Sequence, residues 1–244
     1  MSKKLLSGLA ALTLLDISAS TAQAQVPDWS GAYIGVHGGY RWSDGSLTTG
    51  TYTLNNPVDI DPVIPARNET YDLGSGIFGL HGGYNVRLGA PWIVGLEGDF
   101  TWGNGEDSRT RTISLDGAAY TLNSRAELSW QGTIRARLGV TSGAWLFYAT
   151  AGVAFADFEW RETYARTTAP TFSFSAAKSD TLTGYTVGAG AELALSRNWI
   201  VRGEYLYEDF GSFNVPLAAA LPVGTQGSFD VDAHKLRLGI SYKF

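Results

Sequence analysis

The 244-residue sequence contains no cysteine, one methionine and only three histidines. The absence of cysteine excludes an extracellular disulfide scaffold and fits a domain that is large enough to fold without such cross-links. No apolar stretch reaches about 18 residues, so transmembrane helices are also excluded. The formal net charge of −5 argues against nucleic acid as a partner.

Glycine and aromatic residues are abundant instead, with 30 glycines and an aromatic content of 13%. Helical proteins avoid this much glycine. Membrane β-barrels use glycine where strands bend, and they use aromatic residues where strands meet the membrane interface. The composition therefore favours an all-β protein.

The first 24 residues read as a secretory signal peptide. Lys3 and Lys4 precede an apolar run at positions 5–15, and Ala22-Gln23-Ala24 matches a signal-peptidase site. The run is too short to span a bilayer as a helix. We expect a signal peptide at 1–24 and one barrel domain at 25–244.

Eight segments show the period-2 alternation of strands, and each has about the length that a tilted strand needs to cross a membrane. In the last segment, apolar residues that end at Phe244 alternate with charged or small ones such as Arg237. The facing of 145–155 is ambiguous, and Trp145, Phe147, Ala149, Ala151 and Val153 are predicted to point outward. The predicted strands are 32–42, 77–87, 92–102, 128–140, 145–155, 184–195, 199–210 and 235–244.

The connections between these segments alternate in length. Long connections at 43–76, 103–127, 156–183 and 211–234 alternate with short ones at 88–91, 141–144 and 196–198. A soluble β-sandwich has no reason to alternate in this way. The alternation is typical of an antiparallel up-and-down transmembrane β-barrel, with short turns in the periplasm and long loops outside.

Charged residues occupy the faces opposite the apolar ones. An eight-stranded barrel is just wide enough for side chains to fill it, and unpaired charges there would be very costly. Antiparallel register predicts an interior salt-bridge network, with no conduction path. The expected pairs are Glu97 with Arg135, Glu192 with Arg202, and Glu204 with Arg237.

Two histidines belong to an internal repeat, in which IGVHGGY at 34–40 returns as FGLHGGY at 78–84. If paired positions of these strands sum to 118–120, His37 and His81 face each other, or nearly so, in the lumen. One interpretation is that the rings fill space and hydrogen-bond to Glu97. The other is a pH-sensitive pair or a weak metal or haem contact. His37 and His81 are the candidate cofactor-binding residues, and we predict no catalytic or metal site.

Several motifs together resemble one known family. They are WSGAYIG (29–35), GLEGDF (95–100), GTIRARLG (132–139), YTVGAGAE (185–192), EYLY (204–207) and LRLGISYKF (236–244). The mature chain resembles the small outer-membrane β-barrel proteins of alphaproteobacteria, often labelled porin-family or outer-membrane immunogenic proteins, which are related to the OmpA-type transmembrane barrel. The resemblance implies residence in the outer membrane of a Gram-negative bacterium, contact with lipid and lipopolysaccharide, and recognition of Phe244 by the barrel-insertion machinery.

The sequence therefore predicts an outer-membrane barrel with a structural and surface-interaction role and four long loops outside. Two alternatives stay open: a narrow porin for small solutes, and a surface protein that binds haem or another small ligand. An enzyme is not expected, because neither His37 nor His81 has a serine partner in its strand and His234 lacks a His-x-Ser pairing. We expect no bound cofactor, and the oligomeric state stays open.

Overall fold

The computed structural model describes residues 28–54, 63–115, 117–218, 220–221 and 225–244. The predicted signal peptide at 1–24 lies outside these residues, so its cleavage stays a prediction. None of the described residues belongs to a helix long and apolar enough to cross a membrane. The strands are β1 (Gly31–Thr49), β2 (Tyr52–Leu54), β3 (Val63–Ile64), β4 (Arg67–Asp72), β5 (Ser75–Gly89), β6 (Trp92–Leu115), β7 (Ala118–Ser142), β8 (Trp145–Arg166), β9 (Phe172–Ala194), β10 (Trp199–Pro216), β11 (Ala220–Leu221) and β12 (Gln226–Lys243).

Eight long strands among the described residues close into an antiparallel barrel. The order is β1, β5, β6, β7, β8, β9, β10 and β12, and β12 pairs back onto β1 from Tyr33↔Lys243 to Thr48↔Ser228. Closure lets every strand in the ring pair its backbone on both sides, which a membrane requires. The predicted eight-stranded topology is confirmed. The short strands β2, β3 and β11 form a separate small sheet.

The half of the barrel nearest the short turns is apolar outside and polar inside. Leu238 on β12 is 70% exposed, whereas its strand neighbour Arg237 is 1% exposed. The ambiguous strand β8 points Trp145, Phe147 and Val153 outward, as predicted. We call the outward surface of this half the apolar band. It includes Ile34, Val36, Trp42, Phe78, Leu80, Leu96, Phe100, Trp102, Ile134, Leu138, Trp199, Tyr205, Leu236, Ile240 and Phe244.

Above the apolar band the barrel separates into two sheets, which together form what we call the sandwich half. One sheet has the order β4–β1–β12–β10, and the other has the order β6–β7–β8–β9. The pairing of β5 with β6 stops at Phe78↔Trp102, and that of β10 with β9 stops at Asp209↔Tyr185. Beyond these points, β6 is paired only with β7 and β9 only with β8 among the described residues.

A hydrophobic core fills the space between these two sheets. Tyr71 and Phe229 come from the first sheet, and Phe158 and Trp160 come from the second. The Phe229 ring lies 5.0 Å from that of Phe158 and 5.4 Å from that of Trp160. Burial of each such side chain contributes roughly 1.5–3 kcal/mol. The sandwich half therefore has the polarity of a soluble β-sandwich, with apolar residues inside and polar residues outside. This is opposite to the polarity of the half that carries the apolar band.

A bulge in β7 carries one apolar stripe from the outside of the molecule to the inside. The pairing of β7 with β8 shifts between Leu128 and Gln131. Below the shift, the even-numbered Ile134 faces outward at 62% exposure. Above it, the even-numbered Leu122 and Leu128 face inward at 2% and 0%. Uninterrupted alternation along the predicted strand 128–140 puts Leu128 on the outer apolar face with Ile134. That prediction is wrong, because the extra residue reverses the alternation.

β10 makes the same change with a glycine. Its pairing with β12 shifts between Asp209 and Ser212, where Gly211 has a φ of 63°. Glycine adopts this left-handed conformation at little cost, and a glycine at this position is typical of one class of bulge. The shift turns Phe213 and Val215 toward the sandwich core.

The described parts of the four long connections are largely strand, so the prediction of long loops is wrong there. β6 continues to Leu115 and β7 begins at Ala118, and the two strands stay paired as far as Leu115↔Ala118. The strands predicted from the sequence end where the outward-facing apolar residues end. The strands continue past that level because the sandwich core, rather than lipid, covers their apolar face there.

Candidate functional site

The lower half of the lumen is lined by charged side chains. They point inward because they alternate along each strand with the residues of the apolar band. Five carboxylates and five cations balance one another in this layer. They are Glu97, Asp99, Glu192, Glu204, Glu208, Arg135, Arg137, Arg202, Arg237 and Lys235, and all are buried.

Arg135 lies at the centre of this layer. Its guanidinium donates to Asp99 Oδ2 at 3.0 Å, to Glu204 Oε1 at 3.0 Å and to Glu97 Oε1 at 2.5 Å. Glu97 also accepts two hydrogen bonds from Arg202, at 2.6 and 2.9 Å. Charge-assisted, multiply bonded contacts of this kind are needed to offset the cost of removing the ions from water.

The three ion pairs expected from antiparallel register are confirmed. Each pair lies directly opposite across neighbouring strands and is in contact. The pairs are Glu97 with Arg135 at 2.5 Å, Glu192 with Arg202 at 3.9 Å, and Glu204 with Arg237 at 2.6 Å.

Our reading of the sequence missed two further contacts. Lys235 and Glu208 form a fully buried pair at 2.8 Å, and alternation already placed both on inward faces. Arg41 donates to the Leu128 carbonyl at 2.9 Å and to Gln131 Oε1 at 3.2 Å, at the level of the β7 bulge. The Arg41 contact could not be predicted from the sequence, because it depends on the β7 bulge, and no glycine or proline marks that bulge in the sequence.

His37 and His81 lie in the lumen and touch each other. Their Nδ1 atoms are 3.3 Å apart and their ring centroids 5.5 Å apart. The predicted register sum of 118–120 is wrong, since His37 pairs with Gly79 and His81 with Gly35, and these positions sum to 116. The two rings still nearly face each other in the lumen, as predicted. The rings are thus diagonal neighbours.

The internal repeat explains this contact. In each copy a glycine stands two residues before the histidine, and each histidine ring lies over the glycine of the other copy. A Cβ at Gly35 would come within 2.5 Å of His81 Nε2, and one at Gly79 within 2.6 Å of His37 Nε2. The repeated G-x-H pattern therefore provides the space in which the two rings fit.

Both ring nitrogens of each histidine have a hydrogen-bonding partner. His37 Nε2 lies 3.0 Å from Thr101 Oγ1 and 3.4 Å from Arg237 Nη1, and His37 Nδ1 lies against His81 Nδ1. His81 Nε2 lies 2.7 Å from Ser241 Oγ. The expected bond to Glu97 is not formed, because Glu97 is held by Tyr33 and the arginines.

Apolar side chains lie on both sides of the charged layer. Toward the short turns, Trp29 packs with Ile93, Leu146 and Ile200 at the floor of the lumen. Toward the other end lies the sandwich core. No group of three or more His, Cys, Asp or Glu residues in the described part of the chain could hold a metal ion. The arrangement holds charges in fixed pairs between two apolar layers.

The apolar band, the closed ring and the paired interior together define a small outer-membrane β-barrel. The family model described as "Outer membrane protein beta-barrel domain" matches residues 7–244, and the chain belongs to this family. The predicted location in the outer membrane of a Gram-negative bacterium is confirmed.

Individual relatives agree with this assignment. The 31 kDa outer-membrane immunogenic protein of Brucella melitensis biotype 1 is 31% identical over 220 residues, covering 88% of this chain and 84% of the relative. The 22 kDa outer membrane protein of Rhizobium leguminosarum bv. viciae is 28% identical over 218 residues, covering 88% and 78%. Among solved structures, the outer membrane protein OprG from Pseudomonas aeruginosa aligns with a TM-score of 0.49 at 16% identity, covering 88% of this chain and 96% of that chain.

Replacing Arg135 by methionine should destabilise the barrel by about 3–5 kcal/mol, because three carboxylates lose their shared buried partner. The measurement is urea unfolding of the protein refolded in lipid vesicles. Arg161→Met is the matched control, since Arg161 on β8 points outward and forms no ion pair with a described residue; it should change stability by less than about 0.5 kcal/mol. Equal effects of the two substitutions would contradict the central role of Arg135.

Proposed function

We propose that this protein is a closed, non-conducting barrel that strengthens the outer membrane and presents its sandwich half outside the cell as an interaction surface. The observation that carries the proposal is the filled lumen, in which a paired charged layer lies between an apolar floor and an apolar core. A protein built for solute passage has no use for such layers. Membrane lipid surrounds the apolar band, and lipopolysaccharide sugars surround the base of the sandwich half.

The orientation follows from the lengths of the connections. Short turns of bacterial barrels lie in the periplasm, and the longer hairpins extend outside. The even strand number keeps both termini of the barrel on the periplasmic side. The outward faces of the sandwich half support this orientation, because exposed residues such as Arg125, Glu159 and Arg161 suit water.

The narrow-porin alternative is disfavoured by the same layers. Water-filled porins use about 16–18 strands, whereas eight strands leave an interior that side chains fill. An ion crossing this lumen would have to separate pairs such as Lys235–Glu208, which is fully buried with its charged atoms 2.8 Å apart.

In planar bilayers the refolded protein should show no steady single-channel steps, because the charged layer and both apolar layers would have to open together. A 16-stranded porin inserted under the same conditions provides the positive control. Reproducible conductance steps that are uniform in size at one salt concentration and increase with salt concentration would favour the porin alternative and contradict the closed-barrel proposal.

Protease added to intact cells should cut the protein only within 43–76, 103–127, 156–183 or 211–234. We expect the first cleavage in the turn at 167–171, since most of these segments are paired strand and resist proteolysis. Mass spectrometry of the released peptides locates the sites. Cleavage confined to 88–91, 141–144 or 196–198 would invert the orientation.

We also propose that the insertion machinery reads Phe244, which is 71% exposed at the end of the outward stripe of β12. Phe244→Ala should lower the amount of barrel in the outer membrane much more than it lowers the stability of the folded protein. Native-level expression with quantification of outer-membrane fractions measures the first effect, and urea unfolding measures the second. Unchanged membrane levels would contradict this role.

We infer that the protein is not an enzyme. A hydrolytic site needs a nucleophile, a base and an orienting group within reach of one another. His37 and His81 are buried and bonded at both ring nitrogens, and the outward His234 contacts the Tyr205 hydroxyl at 2.6 Å rather than a serine.

His37 and His81 support one narrower proposal, a zinc-binding pair. Their Nδ1 separation of 3.3 Å is compatible with two nitrogen ligands on one tetrahedral zinc ion. Haem is less well supported, because neither ring is open to a ligand of that size. Titration of wild type and of His37→Ala/His81→Ala with zinc and with haem tests both ideas. Loss of zinc binding in the double variant is expected, and equal binding by the two proteins would remove the pair as a site.

A further inference from the structure

The separation of the two sheets leaves an open seam between β4 and the outer part of β6. Within the described residues, β4 pairs its backbone with β1 alone, and β6 beyond Gly105 pairs its backbone with β7 alone. We call the space between these two strand edges the β4–β6 seam. It holds a groove of about 470 Å³ whose walls include Asn68, Thr70, Arg109 and Arg111.

Side chains already occupy the lower end of this seam. Arg109 donates from Nε and Nη2 to the Thr70 carbonyl, at 3.0 and 2.8 Å. The backbone N–H of Asp72 donates to Asp107 Oδ2 at 3.0 Å. The backbone groups of β4 at Thr70 and Asp72 therefore point into the seam.

Antiparallel pairing alternates along a strand, so Asn68 directs its own N–H and carbonyl into the seam as well. Arg67, Glu69 and Tyr71 direct theirs toward β1. The edge of β4 thus presents a short row of backbone donors and acceptors to the groove. At the lower end of this row, the side chains of Arg109 and Asp107 already bond to these backbone groups. Such a row is a template for another extended chain.

The charge of the groove selects among extended chains. Arg67 is neutralised by Glu162, whose Oε2 it contacts at 2.8 Å, and Arg109 is neutralised by Asp107 at 2.7 Å. Arg111 is exposed and has no hydrogen bond or ion pair with a described residue. Among the described residues, Arg111 is thus a guanidinium without an ionic partner, and it stands beside the edge of β4 that faces away from β1. The two sheets also separate between the outer parts of β9 and β10. There, by contrast, Lys178 is paired with Asp180 at 3.3 Å.

We propose that the β4–β6 seam binds an extended, acidic segment of a partner polypeptide, which adds as a strand to the edge of β4 and pairs a carboxylate with Arg111. Polypeptide is the occupant because only its backbone offers alternating donors and acceptors at strand spacing. The inference rests on the proposed function, since it requires the sandwich half to face outward and to serve as an interaction surface.

The test uses the full mature protein refolded in detergent micelles and two N-acetylated, C-amidated hexapeptides. One reads Thr-Glu-Val-Thr-Glu-Val, and the other replaces both valines by proline, which keeps the charge but prevents strand pairing. Isothermal titration measures affinity, and hydrogen exchange measures protection of residues 68–72. We expect the valine peptide alone to bind and to protect this segment.

Three variants locate the binding. Arg111→Glu should weaken it at least about tenfold through loss of a charge-assisted contact. Arg161→Glu, an equal charge change on the outward face of β8, should leave it unchanged. Thr70→Pro removes an N–H that points into the seam and should also weaken it, because proline on a strand edge is compatible with the fold.

Equal binding of the two peptides, or no binding of either, would overturn the proposal. So would tight binding of dextran sulfate that is lost in Arg111→Glu and kept in Thr70→Pro, since that pattern identifies an anionic polysaccharide site. The conductance of the protein plays no part in these measurements. A failure here therefore leaves the closed-barrel proposal to its own test.

Discussion

Charges inside this barrel must be paired, and most of the structure depends on that constraint. The charged side chains of the lumen are buried, so each carboxylate needs a cation within bonding distance. Glu97, Arg135 and Arg202 meet that need only in one register of their strands. A shift of any strand by one residue would bury its lipid-facing side chains and expose its ions to hydrocarbon. The network thus selects the register as well as closing the lumen.

The molecule satisfies two opposite solvents with one continuous set of strands. In the apolar band the outside is hydrocarbon and polar residues face inward. In the sandwich half the outside is water and the apolar residues face inward. At the boundary, the apolar residues of β8 move from odd-numbered positions such as Val153, which face outward, to even-numbered positions such as Phe158, which face inward. In β7 and β10 the apolar residues keep the same numbering parity, and a bulge turns them from the outside to the inside.

The sequence predicts the part of the fold that faces the membrane. Alternation identified eight strands, their facing and three of the ion pairs, because lipid and lumen impose a strict period of two. Alternation failed as a guide above the membrane, where the bulge after Leu128 reverses which residues face inward and no glycine or proline marks the bulge in the sequence. The β-sandwich that the connection lengths argued against describes the upper half of the same molecule. The histidine register was wrong by two residues, since no sequence feature reports the stagger between β1 and β5.

The bulge in β7 also bears on how the chain can change in evolution. It acts as a one-residue phase shift between two environments. Loss or gain of a single codon near Ser129 would therefore turn the whole stripe from Tyr120 to Leu128 toward water. The hairpin ends, such as the turn at 167–171, carry no such phase and can lengthen or shorten freely. Length variation among related genes is therefore expected at the hairpin ends and should be absent at the bulge.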